Sequence, residues 1–598
     1  MLVMPRLDRL NIYFPLGIPY ISSVMKQAGF NVFTLNLDHV DGETSDIVNS
    51  EIEKNDIDVL MTGGLSAHFN NINNFVAPAR KKYPSLKIIV GGGIITADPK
   101  IAMEAFENAD IGVIGEGEQT AVELCGALQD YGMDDKYLSN INGIIYKKDN
   151  RVWTQTKARE EIKDLDSLPF PDYEGFGIER FLEMESHTMS GMGNEREVNI
   201  LASRSCPYQC TFCFHTTGKK YRRRSIDKVI EEIRYLKNKY DIKSVLLHDE
   251  LFSIDNVYIK KFCEALKEMN IVWNAQFRVD DVFFENIETV KNGNCYGVRI
   301  GIESADNEIL KSMRKNISIE QTEQAISIIH DAGLPVFGNL IIGDVAETFE
   351  TAKKSIDWWK RYKEHCFGLY FIDTYPGTPN YKYAVKNGII KNRVEFLKNG
   401  CPTVNLSKMS DEELSIIIKE VVTLPIKELD KLKEQKILKY NKNDTADFSG
   451  FCQKCGNYGT YKEKLLFHVN TSNVLYCENC GHRFIPNVSE EIKYKITGNL
   501  RKLSAKKIAI WGVLPYTIEI FDGNKELCGK DIVFIDSSSY KQMIIINGNK
   551  VRSPEILANE DIDTLICFYQ SALLISGKLY PKIKNRMNFG QLLCGGEI

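Results

Sequence analysis

The feature that most constrains this chain is a group of three closely spaced cysteines, Cys206, Cys210 and Cys213, just after an apolar run at residues 197–202. Three thiolates on one short loop can bind three irons of a cluster and leave a fourth iron open, whereas ordinary iron–sulfur proteins supply four thiolates. His215 follows two residues later, so the same loop could instead form a zinc site of three cysteines and one histidine. The downstream sequence decides between these interpretations.

Composition places the chain among ordinary soluble proteins. Its 598 residues suffice for roughly three to five domains, and it is 43% hydrophobic with a net charge of −5. No global basic field indicates a nucleic-acid partner. No apolar run approaches the ~20 residues of a membrane span, and the apolar run at the N-terminus is too short for a signal peptide. Of the 15 cysteines, seven fall in two metal-like groups, which favours a reducing, cytoplasmic location.

Residues 1–135 alternate short apolar runs with helical patterns. The runs lie at residues 2–4, 30–37, 58–62, 87–90 and 111–114. This alternation predicts an α/β domain with a doubly wound parallel sheet. The carboxyl ends of its strands are rich in small residues, and they form either a ligand-binding shelf or tight turns alone. The shelf residues are Gly64, Leu65, Ser66, Gly92, Gly93, Gly115, Glu116 and Gly117.

Residues 136–190 are predicted to connect this domain to the next. Apolar runs on either side of residues 148–150 indicate a β-hairpin. Further along, Pro169 and Pro171 enforce an extended chain.

Residues 191–395 contain the cysteine loop and further strand–helix units. Six parallel strands, the first at residues 197–202, predict a partial β/α barrel. The other five strands are predicted at residues 244–247, 272–277, 297–302, 336–342 and 368–372. Polar side chains follow these strands at the end where barrel enzymes place their chemistry. The basic run at residues 221–225 either faces an anionic ligand or is a solvated surface.

The cysteine spacing, Phe212 before the third cysteine, the order of the strand ends and the connector at residues 162–173 together resemble radical S-adenosylmethionine (SAM) enzymes with a cobalamin-binding domain. The resemblance covers residues 1 to about 395. It implies a [4Fe–4S] cluster on Cys206, Cys210 and Cys213, and a corrin ring over the shelf. It also implies SAM contacts from Phe212, Asp249, Glu250, Arg278, Glu303 and Asn339. Because residues 5–15 contain no histidine, the cobalt is expected to lack a histidine ligand.

The same resemblance implies the reaction. A cobalamin-dependent radical SAM enzyme of this kind would methylate an unactivated carbon, using a 5′-deoxyadenosyl radical and methylcobalamin. The first alternative keeps the same cofactors and ends in rearrangement, cyclisation or oxidation without methyl transfer. The second alternative is a non-catalytic regulator that binds a corrinoid or a metal. The expected partners are a small-molecule or carrier-linked substrate and an electron donor such as flavodoxin or ferredoxin. No residue in the sequence separates methyl transfer from the alternatives with the same cofactors, whereas the three cysteines and Glu303 argue against the regulator.

The remaining third of the chain is read from its own patterns. Residues 396–445 are predicted to be a helical segment, with a charged helical stretch over residues 408–440. Residues 446–490 carry two Cys-x2-Cys pairs, Cys452 with Cys455 and Cys477 with Cys480. They predict a zinc-ribbon-like module, with an auxiliary iron–sulfur cluster as the alternative.

Residues 491–598 are predicted to form a Rossmann-like domain with strands at residues 508–511, 532–535, 543–546 and 564–568. Leu514 and Pro515 occupy positions where glycines would admit a pyrophosphate. Dinucleotide binding is therefore not expected, and a docking or substrate-presenting role is the hypothesis for this domain.

Overall fold

The computed structural model describes residues 1–7, 13–148, 152–183, 196–441, 445–465, 470, 474–523, 530–568, 570–583, 585–588 and 591–592. The contacts divide the chain into two compact units. The first unit comprises Met1–Ile302, Leu310–Gly338 and Asp373–Leu406, and the second comprises Glu303–Ile309, Asn339–Ile372 and Ser407–Ile598.

The first unit begins with an α/β domain. Its elements are β1 (Leu2–Met4), α1 (Gly17–Gln27), β2 (Thr34–Asn36), α2 (Thr44–Lys54), β3 (Val59–Gly63), α3 (Phe69–Lys82), β4 (Lys87–Gly91), α4 (Gly93–Ala97), α5 (Pro99–Ala105), β5 (Ile111–Val113), α6 (Glu118–Tyr131), α7 (Asp135–Leu138), β6 (Ile144–Lys148) and β7 (Val152–Gln155). The strand order is β2-β1-β3-β4-β5-β6-β7. Strands β1 to β5 pair in parallel, so the predicted doubly wound sheet is confirmed.

The predicted hairpin belongs to this sheet and is more than a linker. Strand β6 pairs antiparallel with β5, and β7 pairs antiparallel with β6. Ile144, Ile145 and Tyr146 of β6 are buried, so this strand extends the core of the N-terminal domain. Two of the three residues assigned to the turn, 149 and 150, lie outside the described residues, as does the 190/191 domain boundary.

A second sheet follows. Its elements are α8 (Ile178–Glu183), β8 (Glu197–Ile200), β9 (Ser203–Arg204), β10 (Arg222–Arg223), α9 (Ile226–Tyr240), β11 (Ser244–Leu247), α10 (Asn256–Glu268), β12 (Val272–Phe277), α11 (Phe284–Asn292), β13 (Cys295–Glu303), α12 (Asn307–Ser312), α13 (Ile319–Asp331), β14 (Val336–Ile342), α14 (Phe349–Arg361), β15 (Gly368–Phe371), α15 (Pro379–Lys386) and α16 (Arg393–Lys398). Six described strands form it in the order β15-β14-β13-β12-β11-β8.

The strand pairing confirms a partial β/α barrel. In the first unit, β8, β11, β12 and β13 pair in parallel in that order. In the second unit, β14 pairs in parallel with β15. Helices of six to fifteen residues separate most of these strands. The carboxyl ends of β11, β12 and β13 are therefore positioned to build a site, as parallel barrels do.

The rest of the second unit contains α17 (Asp411–Glu428), β16 (Lys433–Tyr440), β17 (Thr445–Phe451), β18 (Tyr458–Leu465), β19 (Leu475–Tyr476), β20 (Arg483–Phe484), α18 (Glu490–Lys502), β21 (Lys507–Trp511), α19 (Pro515–Phe521), β22 (Asp531–Ile535), β23 (Ile545–Ile546), β24 (Asn549–Lys550), β25 (Thr564–Cys567), α20 (Gln570–Leu579) and β26 (Asn585–Asn588).

The predicted helix over residues 408–440 is wrong beyond Glu428. Ser410 caps α17 with a capping box shared with Glu413, but residues 433–440 are strand β16, which pairs antiparallel with β17. Lys, Glu, Gln and Leu are good helix formers, and this composition produced the helical prediction. Strand pairing within β16-β17-β18 overrides the local preference.

The C-terminal domain has a four-stranded parallel sheet among the described residues, in the order β22-β21-β25-β26. Three of the four predicted strands are confirmed. The strand predicted at residues 543–546 is wrong as a member of this sheet, because Ile545 and Ile546 pair with β24 in a separate hairpin. Ile544 and Ile546 are buried, and this apolar run produced the strand prediction. The fourth strand, β26, pairs with β25 and was not predicted.

Candidate cofactor and active site

The three cysteines lie on a loop whose two ends are held together. Strands β9 and β10 pair antiparallel, with Arg204 directly opposite Arg222, and residues 205–221 form the loop between them. Ser205 is buried and adopts a left-handed backbone, with a φ of 65°. Its hydroxyl donates to the carbonyl of Gly218 at 3.0 Å. The stem therefore fixes the direction in which the loop leaves the sheet.

The middle of the loop is bonded on both sides. The amide of Thr211 donates to the carbonyl of Met313 at 3.0 Å, and the carbonyl of Thr211 accepts from Asn380 at 3.1 Å. Cys210 is buried, Cys206 is half-buried and Cys213 is exposed. Burial raises the pKa of the Cys206 thiol. Three thiols on a braced, partly open loop fit a cluster whose remaining iron faces a ligand.

A second group of side chains supports the loop from the carboxyl end of β11. His215 Nδ1 lies 2.6 Å from Glu250 Oε2, and the other ring nitrogen lies 3.1 Å from the carbonyl of Tyr208. The hydrogen bond with Glu250 raises the pKa of His215. His215 is therefore engaged with Glu250 and Tyr208, which is not the arrangement of a fourth ligand beside the three cysteines.

Arg278, after β12, also contacts the loop. Its guanidinium lies 3.7 Å from the centre of the Tyr208 ring, within the range of a cation–π contact. It forms an ion pair with Asp280 at 2.6 Å and donates to the carbonyl of Lys315. These contacts give Arg278 a bracing role on the cluster loop.

Asp249, also at the end of β11, is fully engaged with the protein. One carboxylate oxygen accepts from the Ala202 amide at 2.8 Å, and the other from the Ser203 hydroxyl at 2.5 Å. Burial raises the pKa of Asp249 to about 7. The side chain thus fastens the start of the cluster loop to β11.

The other residues implied as SAM contacts are Phe212, Glu303 and Asn339. Phe212 is half-buried on the loop. Glu303 ends β13 and is 8% exposed, with a left-handed φ of 64°. A non-glycine residue held in this region is strained, and such residues concentrate at functional sites. In the second unit, Asn339 packs against Gly368 of β15, where a Cβ atom would lie 2.3 Å from the Asn339 carboxamide oxygen.

The glycine-rich ends of the neighbouring strands β3, β4 and β5 are the segments predicted to form a shelf. At Gly92, with a φ of +82°, a Cβ atom would lie 2.9 Å from the carbonyl oxygen of Gly64. Gly115 has a φ of +79° and open space around it. Leu65 is 48% exposed on the same surface, whereas Ser66 is buried. Backbone that tolerates no side chain, next to an exposed apolar side chain, fits a large flat ligand such as a corrin.

The shelf faces the cluster loop. A Cβ atom at Gly93 would lie 3.2 Å from the Thr216 methyl group and 3.5 Å from the Phe214 ring. Phe214 and Thr216 follow the third cysteine within three residues. The two predicted cofactor sites are therefore neighbours within the first unit.

Glu116, implied as a cobalamin contact, points into the protein instead. Its Oε1 atom lies 2.7 Å from Arg204, and its Oε2 atom accepts from Arg222 and from the Ile162 amide, each at 2.7 Å. Glu118 adds a 2.6 Å ion pair with Arg204. Glu116 therefore binds both strands of the cluster-loop stem.

In the basic run at residues 221–225, all three arginines form ion pairs with carboxylates of the protein. Arg222 pairs with Glu116 and Arg224 pairs with Glu232, and both arginines have largely buried side chains. Arg223 pairs with Asp255 at 2.8 Å. Sequence reasoning also missed Arg204 and Glu118. Arg204 could be seen beside the cysteine loop, but its partner Glu118 lies 86 residues away, and no local sequence pattern indicates the pair.

The four remaining cysteines form a compact group. The sulfur atoms of Cys452, Cys455, Cys477 and Cys480 lie within 4.8 Å of one another. The two Cys-x2-Cys turns share one geometry: Gly456 donates to the Cys452 carbonyl at 3.0 Å, and Gly481 to the Cys477 carbonyl at 2.8 Å. Both glycines have a positive φ, which glycine adopts without strain. This group can hold a single metal ion.

In the C-terminal domain, the loop after β21 is closed. The amide of Val513 donates to Asp536 at 2.8 Å, and the amide of Leu514 donates to the Thr517 hydroxyl at 3.1 Å. Val513 and Leu514 are buried. Because these amides already have partners, they are not available to a pyrophosphate.

Two protein-family profiles match the chain, one over the N-terminal α/β domain and one over the segment that contains the cysteine loop. A radical SAM superfamily profile matches residues 200–359, and a B12 binding domain profile matches residues 6–125. The chain belongs to the radical SAM superfamily. It is a radical SAM enzyme with an N-terminal B12-binding domain, and the match begins at the strand that leads into the cysteine loop.

Individual proteins give the same placement. This radical SAM enzyme is 26% identical to an uncharacterized methyltransferase of Pyrococcus horikoshii, over 68% of its own chain and 86% of the relative. It is 27% identical to the anaerobic magnesium-protoporphyrin IX monomethyl ester cyclase of Rubrivivax gelatinosus, over 58% and 62%.

A solved structure shares the fold. The radical SAM methyltransferase TsrM from Kitasatospora setae, with cobalamin and a [4Fe–4S] cluster bound, matches with a TM-score of 0.55 and 16% identity. The match covers 65% of this radical SAM enzyme and 78% of TsrM.

None of the helices in the described part of the chain has the length and apolar character of a membrane span.

Proposed function

We propose that this radical SAM enzyme transfers a methyl group to an unactivated carbon. The observation that supports the proposal is the contact of the Gly93 backbone with Thr216 and Phe214, because a cobalamin bound at the proposed shelf would then lie beside the cluster loop. When bound, the cluster supplies the electron that cleaves SAM, and cobalamin supplies the methyl group. The chain's own residues hold these groups, orient them and exclude water.

The site residues divide by their contacts. Cys206, Cys210 and Cys213 would bind the cluster. Glu303 and Asn339, with Phe212 beside the third cysteine, would contact SAM, and Glu250 has one carboxylate oxygen besides the one that meets His215. Asp249, Arg278 and Glu116 would hold the loops in place, since their charged groups are engaged with protein partners. The backbone at Gly64, Gly92, Gly93, Gly115 and Gly117, with Leu65, would receive the corrin.

The decisive experiment is a product analysis. The protein would be reconstituted anaerobically with iron, sulfide, hydroxocobalamin and a strong reductant, and then given SAM carrying a deuterated methyl group. We expect 5′-deoxyadenosine, S-adenosylhomocysteine and label transferred to the cobalamin. Absence of 5′-deoxyadenosine from protein that contains about four irons per chain would contradict the assignment, and Cys210→Ser is the matched inactive control.

A second outcome keeps the same cofactors. The similarity to the anaerobic cyclase favours radical cyclisation or oxidation as the alternative. With substrate present, a product heavier by one methylene group supports methyl transfer. Formation of 5′-deoxyadenosine with a substrate-derived product of unchanged carbon count supports the alternative.

For the four-cysteine module, we infer a structural zinc ion. With zinc–sulfur bonds of about 2.3 Å, the edge of a sulfur tetrahedron is about 3.8 Å. The sulfur atoms of Cys452 and Cys480 are 3.8 Å apart, and those of Cys455 and Cys477 are 3.6 Å apart. These distances suit one central ion. In a four-iron cluster each thiolate binds a different iron, which holds the sulfurs farther apart.

The remaining proposals concern the cellular location, the electron donor and the substrate class. Seven of the 13 described cysteines lie in the two proposed metal-binding groups, and this use of cysteine supports a reducing, cytoplasmic location. The cluster requires an external reductant, and a flavodoxin or ferredoxin has the appropriate chemistry. A small-molecule or carrier-linked substrate remains the proposed substrate class.

A further inference from the structure

We propose that Glu116 is a positioning residue that couples the two cofactor sites: cobalamin on the shelf restrains Glu116, and Glu116 in turn holds the loop that carries the cluster. This inference rests on the proposed cobalamin site. It goes beyond that site by assigning one carboxylate of the B12-binding domain to the stem of the cluster loop.

The geometry begins at the stem. Residues 205–221, which include all three cluster cysteines, leave and return through strands β9 and β10. Glu116 binds both strands with different oxygen atoms, Arg204 at 2.7 Å through Oε1 and Arg222 at 2.7 Å through Oε2. The side chains of Glu116, Arg204 and Arg222 are only 3%, 7% and 8% exposed. One buried carboxylate therefore closes the loop at its base.

Electrostatics favour this contact at the stem. Arg204 and Arg222 are directly opposite each other in the ladder, and like charges in opposite positions destabilise a strand pair. Glu118 reaches only Arg204, while Glu161 lies 3.7 Å from Arg222. Without the charge of Glu116, Arg204 keeps its ion pair with Glu118, but Arg222 keeps only the longer contact with Glu161, and no carboxylate joins the two strands of the stem.

The other end of the coupling is the shelf. Glu116 stands between Gly115, whose φ is +79°, and Gly117, the residue before α6. A corrin in contact with the backbone of these glycines limits the movement of the residue between them. Binding at one site then stabilises the other, and thermodynamic linkage makes the effect mutual.

The test measures cluster retention instead of turnover. Reconstituted protein would be mixed anaerobically with a ferrous-iron chelator, with and without hydroxocobalamin, and iron release followed by absorbance. Cobalamin binding would be measured separately by absorbance titration. In the natural protein, we expect cobalamin to slow iron release at least fivefold. In Glu116→Gln, we expect cobalamin to bind and the protection to fall below twofold.

Two further variants make the result decisive. Glu123→Gln lies on the same helix α6 but pairs with Arg159, and it should keep full protection. Arg222→Gln leaves the shelf untouched and removes one arm of the contact, so it should lose protection even if Glu116→Gln does not fold or no longer binds cobalamin.

Two results overturn the proposal. One is full protection in a Glu116→Gln or Arg222→Gln protein that binds cobalamin, and the other is a natural protein that binds cobalamin and gains no protection. A natural protein that does not bind cobalamin overturns the proposed cobalamin site itself, and the titration identifies that case.

Discussion

Gly93 lies against Thr216 so closely that a Cβ atom at position 93 would be 3.2 Å from the threonine methyl group. The glycine belongs to the B12-binding domain and the threonine to the segment just after the cluster cysteines. A side chain at position 93 would require Thr216 to shift by a few tenths of an ångström, so glycine allows the two segments to approach this closely.

The first prediction concerns Gly92. Gly92→Ala should weaken cobalamin binding at least tenfold, because its φ of +82° disfavours alanine and the added Cβ atom would lie 2.9 Å from the Gly64 carbonyl oxygen. The measurement is an absorbance titration with hydroxocobalamin. Gly126→Ala, in helix α6 with open space around it, is the control and should raise stability by up to about 1 kcal/mol. Equal affinities in the two variants would refute the shelf assignment.

The second prediction separates the two metal sites. Cys210→Ser should lose most of the iron and keep the zinc, whereas Cys477→Ser should lose the zinc and keep the iron. The reason is that the two cysteine groups belong to separate sites, and each ion depends on its own thiolates. Elemental analysis of anaerobically purified protein checks both results. Cys125→Ser, a buried thiol outside both groups, should change neither count, and a shared loss of both metals would contradict the assignment.

The third prediction is a pH dependence. Burial raises the pKa of Asp249 to about 7, above its unfolded value of about 3.9. Between these values, the folded state binds more protons than the unfolded state, so the contribution of this group to stability falls as pH rises from about 4 to about 7 and is constant above. In Asp249→Asn, this dependence should disappear.

The measurement is the melting temperature of both proteins at pH 5, 6, 7 and 8. The melting temperature of the variant minus that of the natural protein should increase from pH 5 to about pH 7 and stay constant above it. The Ser203 hydroxyl retains the Leu251 carbonyl as an acceptor at 3.3 Å, so the substitution should not disrupt the fold. Parallel curves across the range would show that Asp249 titrates as an exposed carboxyl does.

The fourth prediction concerns the carboxylate and the backbone conformation of Glu303. Glu303→Gln should lower SAM affinity roughly 10- to 100-fold, because hydrogen bonds to a charged acceptor contribute about 1.5–3 kcal/mol. Glu303→Gly should lower SAM affinity at least as much while relieving the strain of a φ of 64°, so its melting temperature should not fall through backbone effects. Calorimetric titration with SAM on cluster-loaded protein checks both. Unchanged affinity in both variants would remove Glu303 from the site.

Local sequence patterns were sufficient to predict several strands and both cysteine groups of this protein. The strands β11, β12 and β14 have the predicted bounds, because a strand in a buried parallel sheet is a short and mainly apolar segment. The two cysteine groups were equally visible, since metal ligands on one loop must be close in sequence.

Only the tertiary structure decided the remaining features. Residues 433–440 have helix-forming composition, and they became a strand because β17 offered a partner. The basic run at residues 221–225 was predicted either to face an anionic ligand or to be a solvated surface, and each of its three arginines pairs with a carboxylate of the protein. Glu116 was assigned to a cofactor and instead binds Arg204 and Arg222, which are 88 and 106 residues away. Buried ion pairs form between residues that folding brings together, and neither partner carries a local signal of the other.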